Sequence, residues 1–325
     1  MILRKVKRVV LGQRTVDGAG VHLVRVLGGE TVRDYDPFLM LDSFDSKTPR
    51  DYIKGFPMHP HRGIETITYL AEGEIIHKDS LGNSGVIRGG DSQWMTAGSG
   101  IMHEEMPQAA EWLLGVQLWL NLPKTEKMTQ PAYFDVTKDK VGVAETDFGL
   151  VRVLAGTYAE VEGVKPPHWP VTICDVTVKA SHQATIPVHP DENVFVFLLL
   201  GDAVIDGRAY AEKSAVLFEE EGDAISVHAL ADAPCRWLLC SGRKIKESVA
   251  WGGPIVMNTE EELEEAFSDL RTGNFIRHRA GASRFVSRWS VVLSWKRSRR
   301  NWLCFFREGW AVSIPVAYPA ALRSC

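Results

Sequence analysis

Phe56-Pro57-Met58-His59-Pro60-His61-Arg62-Gly63-Ile64-Glu65-Thr66-Ile67-Thr68-Tyr69-Leu70 joins two histidines, one residue apart, to a segment that alternates with period two and runs into the turn signal Glu72-Gly73. Such alternation marks a strand, because successive side chains leave opposite faces of an extended chain. The pattern returns in Val116-Gln117-Leu118-Trp119-Leu120-Asn121-Leu122, which sets Val116, Leu118, Leu120 and Leu122 on one face. Further out, Val194 to Leu200 is a continuous apolar run ending at Gly201, as expected of a strand buried on both faces. Ala203-Val204-Ile205 then leads into Asp206-Gly207, a hairpin-type turn. The 28 glycines and 16 prolines punctuate many such short stretches. The chain reads as all-β.

The two halves repeat one another weakly. Each has a His-containing, Pro-flanked entry, a long apolar strand, a Gly turn and a later Gly-Asp pair, Gly90-Asp91 and then Gly222-Asp223. Two copies of one β-barrel unit explain both the repeat and a length of 325 residues. The expected organisation is a first barrel over 1–125, a connection over 126–150, a second barrel with a helix over 151–275, and a tail over 276–325. The connection is placed by the Pro, Lys and Thr content of residues 121–140. The helix is placed by Thr259-x-x-Glu262, which fits a capping box, by Leu263, Ala266, Phe267 and Leu270 at helical spacing, and by Gly273 as a stop. The tail contains WKRSRRNWLCFFREGW and four of the ten Trp without a clear period, and is expected to be an extension lacking packed structure.

Composition narrows the function classes. Apolar residues make up 45% and charged residues 24%, a globular profile. No apolar run reaches the roughly 18–20 residues of a membrane helix, and the start, MILRKVKRVVLG, lacks the apolar block of a signal peptide. Five cysteines without a C-x-x-C pair suit a reducing compartment, with the cytoplasm as the default expectation. The net charge of −4 hides an asymmetry: residues 281–325 hold seven Arg and one Lys against Glu308 alone, leaving 29 bases and 40 acids in the first 280 residues. So acidic a body is a poor partner for phosphate backbones, and direct nucleic-acid binding by it is not expected.

Four side chains support a metal site. His59 and His61 share a face of an extended chain, and so do His103 and Glu105 in Gly100-Ile101-Met102-His103-Glu104-Glu105-Met106, with Glu104 turned away. Pro57 and Pro60 stiffen the first pair and mark its strand as an edge or an irregular entry. Three imidazoles and a carboxylate form a mixed nitrogen and oxygen set for a divalent first-row ion; Fe(II) or Mn(II) would keep two positions open, and Ni, Cu or Zn are also accommodated. Glu65 is a rival carboxylate, because it follows His61 by four and shares its strand parity.

The blocks Phe56-Pro-x-His-Pro-His-Arg-Gly-x-Glu-Thr66 and Gly90-Asp-x-Gln-Trp-Met-Thr-Ala-Gly-x-Gly-Ile-x-His-x-Glu-Met-Pro107 resemble the pirin family, as do Gln117-Leu-Trp-x-Asn-Leu122 and Gly253-Pro-x-Val-Met-Asn-Thr259. The resemblance covers about residues 1–275. It implies a bicupin, two tandem double-stranded β-helix (jelly-roll) barrels, with one metal site in the N-terminal barrel. It further implies a non-haem iron, Fe(II), held by His59, His61, His103 and Glu105, which places Glu65 outside the ligand set. The second half has His189 and His228 but no His-x-His or His-x-Glu pair, so no second metal is expected.

Two functions follow from the resemblance. Some pirins show quercetin 2,3-dioxygenase activity, in which dioxygen opens the central ring of a flavonol and carbon monoxide leaves. Glu105 would then take the hydroxyl proton, and Phe56, Met58, Arg62 and Gln117 are candidates to line the substrate pocket. Other members are described as metal- or redox-responsive partners of transcription factors or metabolic enzymes, which would need no turnover.

Overall fold

A computed structural model of the chain describes residues 1–278 and, beyond them, three short strands, Ser294–Arg297, Asn301–Phe305 and Ala311–Pro315. The architecture is two cupin domains and a C-terminal helix. The first domain has an antiparallel seven-stranded sheet in the neighbour order Ala132–Val136, Ser92–Thr96, Ile64–Glu72, Leu113–Asn121, Phe38–Ser46, Val21–Leu27 and Gln13–Asp17. It faces a four-stranded sheet, Phe56–His61, Ile101–Pro107, Glu74–Asp79 and Ser84–Arg88. Leu23, Phe44 and Leu70 from the larger sheet pack there against Ile75 and Ile87 from the smaller.

The second domain repeats this plan strand for strand. Its seven-stranded sheet runs Val6–Leu11, Ser214–Phe218, Asn193–Leu200, Cys235–Gly242, Val171–Val178, Gly149–Ala155 and Gly142–Thr146, and its four-stranded sheet runs Gln183–Pro187, Ala224–Ala229, Ala203–Ile205 and Arg208–Tyr210. The expected hairpin at Asp206-Gly207 pairs Ile205 with Arg208. Sheet membership crosses the boundaries read from the sequence. Val6–Leu11 belongs to the second sheet, and residues 126–150 give Ala132–Val136 to the first sheet and Gly142–Thr146 to the second.

The two large sheets meet through an apolar layer with Ile67, Trp94 and Leu118 from one and Phe195, Phe197 and Leu238 from the other. Burying both faces of Asn193–Leu200 explains its unbroken apolar run. One polar knot crosses the layer: the Tyr69 hydroxyl donates to Asp175 at 2.6 Å, and Arg236 donates to both Asp175 oxygens at 2.7 and 2.8 Å.

The helix is Glu260–Thr272, with the Thr259–Glu262 capping box formed and Gly273 left-handed at its end. Its buried Leu263, Ala266 and Phe267 cover the short strands Ala250–Gly252 and Ile255–Met257. No helix of the described residues is long and apolar enough to cross a membrane. In the tail, expected to lack packed structure, the three strands pair antiparallel with one another. That segment therefore holds more backbone pairing than its missing period suggests, and the rest of the expectation lies outside the described residues.

Candidate metal centre

The centre is built across the small sheet of the first domain. Its strand Ile101–Pro107 sits between Phe56–His61 and Glu74–Asp79, and the register sets His103 opposite His59 on one side and Asp79 on the other. Glu105 lies opposite Phe56 and His77, with a bulge between His103 and Glu105 shifting the first pairing. Adjacent antiparallel strands thus bring both i, i+2 pairs to one place. One nitrogen each from His59, His61 and His103 lies within 4.8 Å of the other two.

Each imidazole has its Nδ1 engaged. That of His59 is 2.9 Å from the Pro57 carbonyl, that of His61 is 3.0 Å from the Pro254 carbonyl, and that of His103 is 3.4 Å from His77 Nδ1. A carbonyl only accepts, so the Nδ1 atoms of His59 and His61 carry hydrogen, and their Nε2 atoms present lone pairs in the neutral rings. Those two Nε2 atoms stand 3.1 Å apart. Lone pairs so placed suit a cation shared between them. Protonation is a poor candidate, because burial pushes all three histidines below their usual range, with the neighbouring His59 adding to the effect at His61 and His103. His103 Nε2 is buried without a hydrogen-bond partner. Three clustered neutral imidazoles, each with a neighbour at Nδ1, fit a divalent transition metal.

Glu105 stands outside that 4.8 Å group. Its carboxylate reaches the facing large sheet, where Thr68 Oγ1 donates to Oε1 at 2.8 Å and Gln117 Nε2 donates to Oε2 at 2.6 Å. Gln117 is itself oriented by Trp119, whose Nε1 donates to its Oε1 at 3.2 Å and whose ring meets His61 edge-on at 4.9 Å. Gln117 therefore positions a carboxylate.

The rival Glu65 points the other way. Gly63 adopts φ +78° between the strand of His61 and the strand of Glu65, and a Cβ there would stand 2.0 Å from the Val256 carbonyl. That break resets the alternation, so Glu65 shares a face with Ile67 and Tyr69, in the layer between the sheets. It accepts from Thr96 Oγ1 at 2.7 Å, and burial raises its carboxyl above the ordinary value. The left-handed Gly63 ends the parity that His61 and Glu65 would share in a continuous strand.

The other sequence candidates divide. Phe56 is half-buried against Phe44, with ring centroids 6.0 Å apart, and Met58 is half-buried on the same strand. Arg62, expected beside the pocket, is a correction. As the neighbour of His61 it leaves the opposite side of the chain, and its buried guanidinium donates to Ser99 O at 2.7 Å, Asp269 at 2.9 Å and Phe275 O at 3.0 Å. It pins the C-terminal helix to the first domain. Lys127 does similar work beside it, donating to Gly63 O, Asn121 Oδ1 and Val256 O, while burial pushes its ammonium down to about 7.

His77, Asp79, Thr68 and the Pro254 carbonyl were not singled out from the sequence. His77-x-Asp79 has the same i, i+2 spacing as the pairs that were, so its signal was present. Pro254 had none. At the equivalent positions of the second domain, the paired strands Gln183–Pro187 and Ala224–Ala229 turn Ala184, Ile186, Ile225 and Val227 into an apolar interior, while His189 and His228 are exposed.

Residues 20–120 match the family described as Pirin, and residues 173–276 match the Pirin C-terminal cupin domain. The chain belongs to the pirin family. A pirin-like protein of Caulobacter vibrioides is 42% identical over 286 residues, which is 85% of this chain and 100% of that one. The pirin of Homo sapiens is 34% identical over 272 residues, 82% of this chain and 92% of its own length. Among pirin-like folds, the crystal structure of quercetin 2,3-dioxygenase from Acinetobacter baumannii matches with a TM-score of 0.78 at 31% identity, covering 84% of this chain and 98% of that one. A bacterial pirin from Escherichia coli, crystallised in complex with nickel(II), shares the fold at a TM-score of 0.57 and 19% identity, over 73% of this chain and 99% of its own.

Proposed function

We propose that this pirin-family chain is a non-haem Fe(II) dioxygenase acting on flavonols such as quercetin. The observation that carries the reading is the convergence of one nitrogen from each of three histidines beside a carboxylate held by two neutral donors. The likeness to the Acinetobacter baumannii quercetin 2,3-dioxygenase supports the choice of substrate class. His59, His61 and His103 would hold the ion, and Glu105 would complete the set, since each of its oxygens keeps a further lone pair. The ion supplies Lewis acidity toward the flavonol hydroxyl and one-electron chemistry toward dioxygen.

The chain's own work is orientation and proton handling. Glu105 accepts the proton that the flavonol hydroxyl gives up, and Thr68 and Gln117 keep its carboxylate in one orientation while it does so. Phe56 and Met58, half-buried on the strand that carries His59 and His61, would offer apolar surface to flat aromatic rings.

Iron-loaded protein mixed with quercetin in air should remove the flavonol absorbance, with matching oxygen uptake and carbon monoxide release. His103→Ala should do none of these. Tight iron binding without flavonol loss would overturn the enzymatic reading. It would favour the second one, a metal-responsive binding protein, for which the contact between His61 and Pro254 gives a route: an ion at the first domain would be felt by the C-terminal segment.

A further inference from the structure

We infer that His77, anchored by Asp79, is a positioning residue that fixes the tautomer and ring orientation of His103 and thereby sets the strength of metal binding. The inference rests on the metal reading of the three imidazoles. Its starting point is a difference among them. His59 and His61 each have a backbone carbonyl at Nδ1, which leaves only one tautomer. His103 has another histidine there, and an imidazole can donate or accept.

The ambiguity is removed one residue further out. His77 is fully buried, with Nε2 3.6 Å from Asp79 Oδ2. Asp79 is itself held in place: its Oδ1 accepts from the backbone N–H groups of Leu81 and Asn83 at 2.9 and 3.0 Å, and its Oδ2 accepts from Asn83 Nδ2 at 2.8 Å. At 3.6 Å the His77–Asp79 pair is a close charge contact, not a hydrogen bond, and the negative carboxylate favours the His77 tautomer with hydrogen on Nε2, the atom that faces it. Nδ1 of neutral His77 is then bare and can only accept. Hydrogen then sits on His103 Nδ1, and the lone pair of His103 falls on Nε2, the atom that is buried and without a hydrogen-bond partner. One carboxylate thus decides which nitrogen His103 offers, two rings away.

The ring of His77 is locked as well as polarised. It stacks on Tyr133 at 4.5 Å with an interplanar angle of 20°. Tyr133 is fixed in turn, donating to Asp135 at 2.5 Å and accepting from Gln93 at 2.9 Å. A histidine serving only to fill space would not need a ring N–H on one side and a carboxylate on the other.

The test uses Co(II) as probe, read by its visible spectrum and by competition with a chelator, on the full-length protein. His77→Phe keeps the stacking surface and removes the acceptor; it should weaken Co(II) binding by about 10–100-fold, the usual range for a lost supporting partner. His77→Asn keeps an acceptor near the old Nδ1 and should recover most of the affinity. Asp79→Asn can donate toward His77 Nε2, which reverses the tautomers; it should weaken binding as His77→Phe does, and it carries the test if His77→Phe does not fold. Nitrogen-15 shifts of the metal-free wild type should show His103 with hydrogen on Nδ1. Wild-type affinity and spectrum in both His77→Phe and Asp79→Asn would overturn the inference, and so would equal loss in His77→Phe and His77→Asn with equally lowered thermal midpoints. Wild type that takes up no more Co(II) than His103→Ala would instead overturn the metal reading, and the inference with it.

Discussion

The Nδ1 of His61 lies 3.0 Å from the carbonyl oxygen of Pro254, 193 positions further along the chain. A ligand of the first domain is therefore oriented by a segment that follows the second. Around this contact Val256 N donates to Arg62 O at 3.1 Å, and the helix Glu260–Thr272 is tied back through Asp269 and Arg62. The metal centre and the C-terminal segment form one packed unit.

Loosening that unit should weaken the centre without touching a ligand. Arg62→Ala leaves Ser99 O and Phe275 O unpaired, while Asp269 keeps Arg277. The expected loss is about 2–4 kcal/mol in denaturant unfolding, within the range for removing one partner of a buried charged network. Metal titration of the same variant should show several-fold weaker binding. Unchanged affinity would mean that the Pro254 contact does not govern His61.

Glu105 and Glu65 should separate cleanly. Glu105→Ala removes the carboxylate proposed to balance a divalent ion and should lose most bound iron. Glu65→Ala alters the layer between the sheets, on the far side of the strand, and should keep iron with little change in affinity. Metal content after dialysis of both variants decides it. If Glu65→Ala is the one that empties the site, the assignment of Glu105 fails.

The pH dependence of stability should carry the mark of Glu65. Burial raises its folded carboxyl above the ordinary 4.5, so the folded state holds a proton that the unfolded chain has released. Its contribution is fully present below about 4.5 and is lost as pH rises through the raised folded value. Glu65→Gln keeps an acceptor for Thr96 and cannot titrate. Its thermal midpoint should match wild type near pH 4 and exceed it at higher pH, by a margin that stops growing once pH passes the raised folded value. A constant difference across that range would exclude the titration.

Removal of residues 281–325 should change little. The family match ends at residue 276, and every side chain that holds the centre or braces it lies within residues 1–277. The shortened chain should bind metal with unchanged stoichiometry and melt within about 2 °C of the full chain, at or below the shift of about 2–4 °C that a 1 kcal/mol loss gives a domain of 150–250 residues. A drop of many degrees would show that the four tail Trp residues pack on the domains.

Local rules carried the sequence a long way. Period-two alternation, turn residues and the capping box at Thr259 depend on near neighbours, so the strands, the Asp206-Gly207 hairpin and the helix were legible before any coordinates. His59, His61 and His103 were legible too, because same-face pairs on strands that become neighbours must converge.

Tertiary structure decided the rest. One left-handed glycine, Gly63, turned Glu65 to the opposite face, a reversal that parity counting through a supposed continuous strand cannot detect. Arg62 became a structural pin because its acceptors, Asp269 and Phe275, arrive from more than 200 positions away. Val6–Leu11 joined the far sheet because an unpaired strand edge takes whichever backbone the fold brings beside it. The tautomer of His61 is set by Pro254, and that of His103 is biased by the Asp79–His77 pair. Sequence alone thus determined the strands and the three clustered imidazoles. Which nitrogen each imidazole presents required the folded chain, because a hydrogen bond has direction and its partner is chosen by packing in three dimensions.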